Sequence, residues 1–397
     1  MGARGLAALL DRILGIPLVA ALGLLDRLVL KALGIRHRPL KDGDRVLVAK
    51  LRGGLGEALL LLPLLKALRQ MVGPQGRIEV VATLANRDAL EGCPWVDGVL
   101  VLDVPRVFRE PWFGWLFFKG LRSRSYTHAL DMDLGGRFTP LACLAAGAPR
   151  IYGFKAPGQQ RHGLYLLRAP LAPGRHLFEQ LKDVAALAGL DRRRVEAWPG
   201  FLERSLKAWK GGPQALPKAP PKAYVVLVPG CGPGGWQRAW PEPRWAALIQ
   251  ALAGRGWQVV LAGQGEHERA LTARLAKPGQ ALDLAGQLGH DGLLRLLRRA
   301  SLVACGDADA LQLAVGLGRP VVALHGPSDP AFSGPCLPGP RPRGAAPAVA
   351  LWANLACSPC FAAPASYGCA GRACIEALEP WQAEQACWAA LPQGGRA

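Results

Sequence analysis

At 397 residues the chain is too long for one ordinary core, and with half its residues apolar and 19% charged it is no disordered polyelectrolyte, so two buried domains are expected. Lys and Arg outnumber Asp and Glu by 48 to 29, a net charge of +19 that favours anionic lipid, phosphorylated substrates or nucleic acid as partners. The basic residues are scattered through loops and helix faces, with no basic tail and no aromatic RNP-type strand, which argues against nucleic acid.

Residues 5–34 read GLAALLDRILGIPLVAALGLLDRLVLKALG. Their longest uncharged run, 13–25, falls short of the ~20 apolar residues that span a bilayer, and Gly15-Ile16-Pro17 interrupts it. No small-residue cleavage site follows, so a secretory leader is not expected. Two readings stay open for this extension, residues 1–40. It is a helical hairpin in the membrane interface, with Arg4, Arg12, Arg27, Lys31 and Arg36 near lipid phosphates, or helices packed on the protein body.

Gly43-Asp44 opens a new unit. A strand at Arg45–Ala49 leads through the loop KLRGGLG (50–56) into a helix from Glu57 to about Met71. Strands follow at 78–82, 97–103 and 128–134, and the Trp/Phe-rich stretch 112–118 reads as a helix on the sheet or as a lipid- or acceptor-facing patch. Alternating strands and helices predict a parallel, doubly wound sheet. Residues 151–200 read as helical and basic, closing a first domain at 41–209.

The Pro/Gly-rich stretch 210–222 (KGGPQALPKAPPK) reads as a linker. A second domain, 223–345, then has strands at 224–228, 258–262, 282–284, 302–305 and 321–325, with helices at 245–255, 266–275, 292–300 and 310–317. Residues 335–347 read as loop, and 346–397 hold a cysteine-rich segment and a terminal helix at 379–391.

Both domains carry glycine-rich strand-to-helix turns, the arrangement that offers backbone N–H groups to a phosphate. A dinucleotide site fits poorly. Gly54-x-Gly56 is followed by Leu59 where a third glycine belongs, and the next strand (IEVVAT) ends without a ribose-binding acid.

The opening RVLVAKLRGGLGEALLLLPLLKALR, with its Leu62-Pro63 step, resembles the start of glycosyltransferase family 9, the heptosyltransferase group. Residues 90–97 (LEGCPWVD) and 130–133 (LDMD) also resemble that family. So do Pro229-Gly230, Arg238-x-Trp240-Pro241, Trp245, Leu284-Ala285-Gly286, Gly306-Asp307, and the run from Gly318 through His325-Gly326-Pro327-Ser328-Asp329-Pro330. The likeness covers about 44–390. It implies an α/β GT-B architecture, two Rossmann-like domains facing a cleft, with the acceptor on the first and a nucleotide diphospho-sugar, an ADP-sugar, on the second. It further implies inverting, metal-independent transfer to a lipid-linked or envelope saccharide such as lipopolysaccharide core, at the cytoplasmic face of the membrane.

Such transfer must deprotonate the acceptor hydroxyl and stabilise the departing diphosphate. By the resemblance, Glu57 is the base, one methylene longer than the usual Asp, and its alternative role is helix capping. Arg238 supplies a cation, and Gly306, Asp307, Ala308 and Asp309 form a helix tip whose dipole favours the leaving anion. Glu268 contacts the nucleotide ribose or caps its helix, with Glu266 the alternate. The family's Ser/Thr-Gly-Pro-x-His after that aspartate is here Ala308-Asp309-Ala310-Leu311-Gln312, which removes a hydroxyl, adds a negative charge and replaces a histidine. A catalytically inactive member that binds saccharide or a partner transferase is therefore the alternative.

Cys357, Cys360, Cys369 and Cys374 lie within one short segment with turn-forming Pro359, Gly368 and Gly371. Four thiols so spaced fit a structural zinc or an iron–sulfur cluster, and disulfides, free thiols or a redox role are the alternatives. No cofactor is expected for catalysis itself.

Overall fold

The computed structural model describes residues 16–206, 220, 222–232, 235–335, 345–360 and 371–391. The chain divides into two units, residues 1–173 with 178–196, and residues 174–177 with 197–397. Residues 5–15, most of 210–222 and Cys369 lie outside the described residues.

In the first unit, β1 (Arg45–Ala49), β2 (Arg77–Ala82), β3 (Gly98–Val101), β4 (His128–Asp131), β5 (Ile151–Lys155) and β6 (Leu167–Pro170) pair in parallel in the order β3-β2-β1-β4-β5-β6. Past Arg45, β1 is a continuous apolar run, as a strand covered on both faces requires, and β2 is apolar but for the buried Glu79. The helices are α1 (Ile16–Ala32), α2 (Leu55–Leu59), α3 (Leu62–Val72), α4 (Val104–Arg109), α5 (Pro111–Arg122), α6 (Phe138–Ala145) and α7 (Leu177–Leu187). Pro63 in the first turn of α3 explains the Leu-Pro step, since proline there forfeits no helical hydrogen bond.

The second unit repeats the plan. β7 (Tyr224–Val228), β8 (Gln258–Leu261), β9 (Ala281–Asp283), β10 (Leu302–Gly306), β11 (Val321–His325) and β12 (Ala348–Trp352) run in parallel in the order β12-β11-β10-β7-β8-β9. Its helices are α8 (Phe201–Ser205), α9 (Glu242–Gly254), α10 (Glu266–Leu275), α11 (His290–Arg299), α12 (Asp309–Gly316), α13 (Pro330–Ser333), α14 (Ala373–Glu376) and α15 (Pro380–Ala390). α15 folds back onto this sheet through Ala383, Ala386, Cys387 and Ala390. Trp240 ties the turn before α9 to the segment before α15, its indole N–H donating to Leu378 O at 2.8 Å.

Counted within its own unit, each sheet has the same strand order, and the order reverses between β1 and β4 and between β7 and β10. In open α/β sheets of this kind ligands bind outside the carboxyl ends of the strands at that reversal.

Three strands differ from the sequence reading. β5 and β6 fall in 151–200, read as helical, and β12 follows a Pro-rich loop. β5 contains Gly153, where a Cβ would lie 2.6 Å from the Tyr165 ring, and that glycine breaks the apolar pattern. β6 is four residues ending in proline, tolerable on a sheet edge. Among the described residues the N-terminal extension is one helix packed on the body. Gly23 lies directly on the 161–164 turn, where a Cβ would come within 2.9 Å of Gly163.

Candidate active site

In the first unit, β1 runs into Lys50, whose side chain is almost fully buried. Parallel register sets Ala49 beside Asp131, so the segment leaving the carboxyl end of β4 delivers Asp133 against Lys50. Lys50 Nζ donates to Asp133 Oδ1 at 3.0 Å and to Glu57 Oε2 at 2.8 Å. Burial lowers the lysine pKa, but attraction and hydrogen bonds from Glu57 and Asp133 outweigh it and hold the ammonium above its ordinary value.

Asp133, itself fully buried, also accepts from the Leu51 and Arg52 amides at 3.0 and 3.2 Å and from Thr139 Oγ1 at 2.6 Å. One carboxylate thereby fixes the loop after β1, the start of α6 and Lys50. Beneath it, Asp131 accepts from Arg161 at 2.5 Å and from the Tyr165 hydroxyl at 2.7 Å, all three groups buried. Burial pushes the Asp131 carboxyl up, opposed by Arg161.

Glu57 stands in the first turn of α2 with its side chain 43% exposed. Its carboxylate turns back to Lys50 instead of capping the helix, whose N-cap is Gly54. Gly53, at φ +83°, makes room for it, since a Cβ there would collide with the Glu57 carboxylate. Lys50 holds Oε2, and the side chain stays partly open to solvent. Beside this network lies a cavity of about 430 Å³, with Leu84, Leu102, Val104 and Phe138 on its apolar side and Arg52 and Arg137 on its charged side.

In the second unit, Arg238 donates to Cys231 O at 3.0 Å and to Asp307 O at 2.8 Å, tying the turn after β7 to the end of β10. Its Nη1 also lies 3.8 Å from the Asp307 carboxylate. At Gly306 the chains approach so closely that a Cβ would sit 2.7 Å from Cys231 Sγ. Ala308, extended at φ −145°, is the N-cap of α12 and offers the first-turn amides no side-chain acceptor. Asp309 lies in that first turn and is exposed.

Glu268 is buried in α10, and its Oε1 accepts the Gly232 amide at 3.0 Å. A Cβ at Gly230 or Gly263 would collide with it, so the glycines make its seat. Gln312 is buried, its amide donating to Ser333 O at 2.9 Å. Gly306, Asp307, Ala308, Asp309 and Arg238 thus meet at the β7/β10 reversal, with Glu268 reaching the same turn, while Gln312 ties down the last residue of α13.

Sequence reasoning gave no role to Lys50, Asp133, Arg161 or His325, though three of them lie in the motifs it singled out. The signal for the first two was present, a lysine closing an apolar strand and the alternating acids of LDMD. His325 is buried at the end of β11, its Nδ1 3.2 Å from Ser328 Oγ, and burial lowers its pKa.

Cys357, Cys360 and Cys374 are free thiols lining one cavity of about 240 Å³ with Gln237 and Pro327. The Cys374 thiol is raised by burial and by its two neighbours. Among the described residues no group of three or more His, Cys, Asp or Glu is placed to hold a metal ion, so zinc or an iron–sulfur cluster finds no support there. Metal binding needs thiolates gathered at bonding distance, and these three share a cavity without forming such a set.

The sequence model of glycosyltransferase family 9 (heptosyltransferase) matches residues 115–370. Lipopolysaccharide heptosyltransferase 2 of Escherichia coli K12 is 27% identical over 295 residues, 66% of this chain and 77% of that protein. Among solved structures, E. coli ADP-heptose lipopolysaccharide heptosyltransferase II superposes with a TM-score of 0.61 at 20% identity, covering 87% of this chain and 98% of that one. E. coli heptosyltransferase WaaC with ADP gives 0.58 at 21% identity, covering 72% and 88%.

Proposed function

The chain belongs to glycosyltransferase family 9, and from that membership we propose that it is an inverting, metal-independent enzyme moving a sugar from an ADP-sugar to a lipid-linked or envelope saccharide such as lipopolysaccharide core. The proposal rests above all on the Glu57 carboxylate, held by buried Lys50 at the β1/β4 reversal. The acceptor hydroxyl attacks the anomeric carbon from the face opposite the diphosphate. Its proton passes to Glu57, and the bond to the diphosphate breaks with its electron pair on the departing oxygen. Lys50 occupies one carboxylate oxygen and fixes the other toward the hydroxyl, and general-base help of this kind contributes about 10²–10⁴ in rate.

The departing charge is met by the α12 first-turn amides, the helix dipole and Arg238. Asp309 opposes it, but the exposed position lets solvent and salt screen that charge. Glu268, seated among glycines, is the acid we assign to the nucleotide ribose. The donor class is supported by the relative whose structure holds ADP, and the acceptor class by the lipopolysaccharide enzyme. A lipid-linked acceptor places the work at the cytoplasmic face of the membrane.

Release of nucleoside diphosphate should be measured for a panel of ADP-, UDP- and GDP-sugars with a lipopolysaccharide-core acceptor, using Glu57→Gln as control. Acceptor-dependent ADP release that the variant abolishes supports the reading. Acceptor binding with no turnover from any donor would instead establish an inactive member, the outcome that Ala308-Asp309 favours.

A further inference from the structure

α5 is apolar on two faces. Leu121 is buried and Phe113, Phe117 and Phe118 pack on the first unit's core. Three and four residues apart on another face, Trp112, Trp115 and Leu116 are 67%, 49% and 49% exposed. The two indoles stack on each other at 4.6 Å, and Lys119 Nζ sits 4.8 Å from the Trp115 ring. Large apolar side chains clustered in the open on a surface helix mark a binding face, so the outward face calls for a cover.

The surrounding charge says what cover fits. Arg106, Arg109, Lys119 and Arg122 are exposed along α4 and α5, against the acids Asp103 and Glu110, the latter paired with Arg106 at 2.8 Å. α5 contacts α6, α6 contacts the 161–164 turn, and that turn carries α1. In this same layer α1 leaves Leu24, Leu25, Leu28 and Val29 exposed beside Lys31, with Leu33 exposed just past its end. Among the described residues no helix is long and apolar enough to cross a membrane. Indoles and leucines rimmed by cations, on helices that cannot span, match the interface of an anionic bilayer, where rings sit at headgroup depth and basic groups meet phosphates.

We propose that the exposed face of α5, with the outer face of α1, docks the protein on an anionic lipid surface. The cavity walled by Arg52 and Thr139, which bond to Asp133, is also lined by Val104 of α4 and Phe138 of α6, the neighbours of α5, so docking would bring a lipid-linked acceptor to the cavity that takes it. That last clause rests on the proposed transferase reading; the docking itself does not.

The full chain should be sedimented with phosphatidylcholine vesicles, with and without phosphatidylglycerol. Hydrogen exchange of 111–122 should be followed in the same mixtures. Binding is expected only with phosphatidylglycerol, weakening as salt rises, with α5 amides protected by vesicles. W112S/W115S/L116S should lose about tenfold or more in vesicle affinity, with an unchanged melting temperature and unchanged ADP release toward a short soluble acceptor. No sedimentation, or equal sedimentation of a folded variant, overturns the proposal. So does protection of 111–122 that rises with protein concentration in the absence of lipid, because a second copy then covers the face. Should the variant misfold, exchange in the unaltered chain decides. Vesicle binding without ADP release from either protein would leave the docking surface standing and sink the transferase reading alone.

Discussion

At the carboxyl ends of β1 and β4, charge is dense and enclosed. Lys50, Asp131, Asp133 and Arg161 are all buried, and each is held by a partner of opposite sign. At the carboxyl ends of β7 and β10 the same strand order yields a different site, in which glycines, backbone groups and one partly exposed arginine bonded to carbonyls stand beside the carboxylates of Asp307, Asp309 and Glu268, the arginine 3.8 Å from that of Asp307. The contrast follows from what each end is proposed to do. A base must hold one carboxylate oxygen in a fixed place, which rewards rigid ion pairs. A departing diphosphate is large and already charged, and is better met by amides and a helix dipole that need no counter-acid.

The sharpest way to break this division is Glu57→Gln. It should lower kcat by about a thousandfold while leaving ADP affinity, measured by calorimetry, within about twofold. A matching loss of ADP affinity would mean that the two ends do not divide the work. Lys50→Met tests enclosure. It strands the buried Asp133 carboxylate with three of its four donors, and denaturant unfolding should show a loss of about 3 kcal/mol or more.

Arg238→Ala addresses the other end. Losing a cation that also bridges Cys231 and Asp307 should weaken ADP binding by about 1.5–3 kcal/mol, or roughly 10- to 150-fold, with kcat at saturating donor reduced less than in Glu57→Gln. Asp309→Asn should act most weakly. Removal of a like charge at an exposed helix tip is worth about 0.3–1 kcal/mol, so ADP affinity should rise a few-fold at low salt and the gain should fade at high salt.

The opposite, amino ends of β1 and β4 predict acid sensitivity. His128 in β4 is buried, and burial holds its pKa down to about 4 from an ordinary 6.5. Unfolded chains therefore bind an extra proton between those values, and stability present above pH 6.5 is lost as pH falls toward 4. Asp44, pulled down to about 2 by Arg38 and the Lys41 amide against its burial, adds a second loss between about 4 and 2. Melting temperature followed against pH should fall through both windows, and His128→Gln should flatten the first.

Much of this was legible in the residues. Continuous apolar runs such as VLV and VVLV mark strands covered on both faces, and the glycine turns after them mark the ends where the sites lie. Glu57, Arg238 and Gly306 through Asp309 could be placed because local motif and strand end coincide. What escaped depended on partners distant in sequence. Nothing local to Lys50 announces that Asp133, 83 positions on, will be hydrogen-bonded to it. Gly153 in β5 looks like a strand breaker until the Tyr165 ring is seen to need the space. Asp309 looked damaging as a charge in a list of residues, and its exposure softens that reading.

Glu57 can act as base only if the tip of α12 receives the departing diphosphate. A crystal of the protein soaked with ADP tests it directly. The account predicts diphosphate density against the Ala308 and Asp309 amides and within hydrogen-bonding reach of Arg238. Ordered ADP bound elsewhere, with that tip left to solvent, would contradict it.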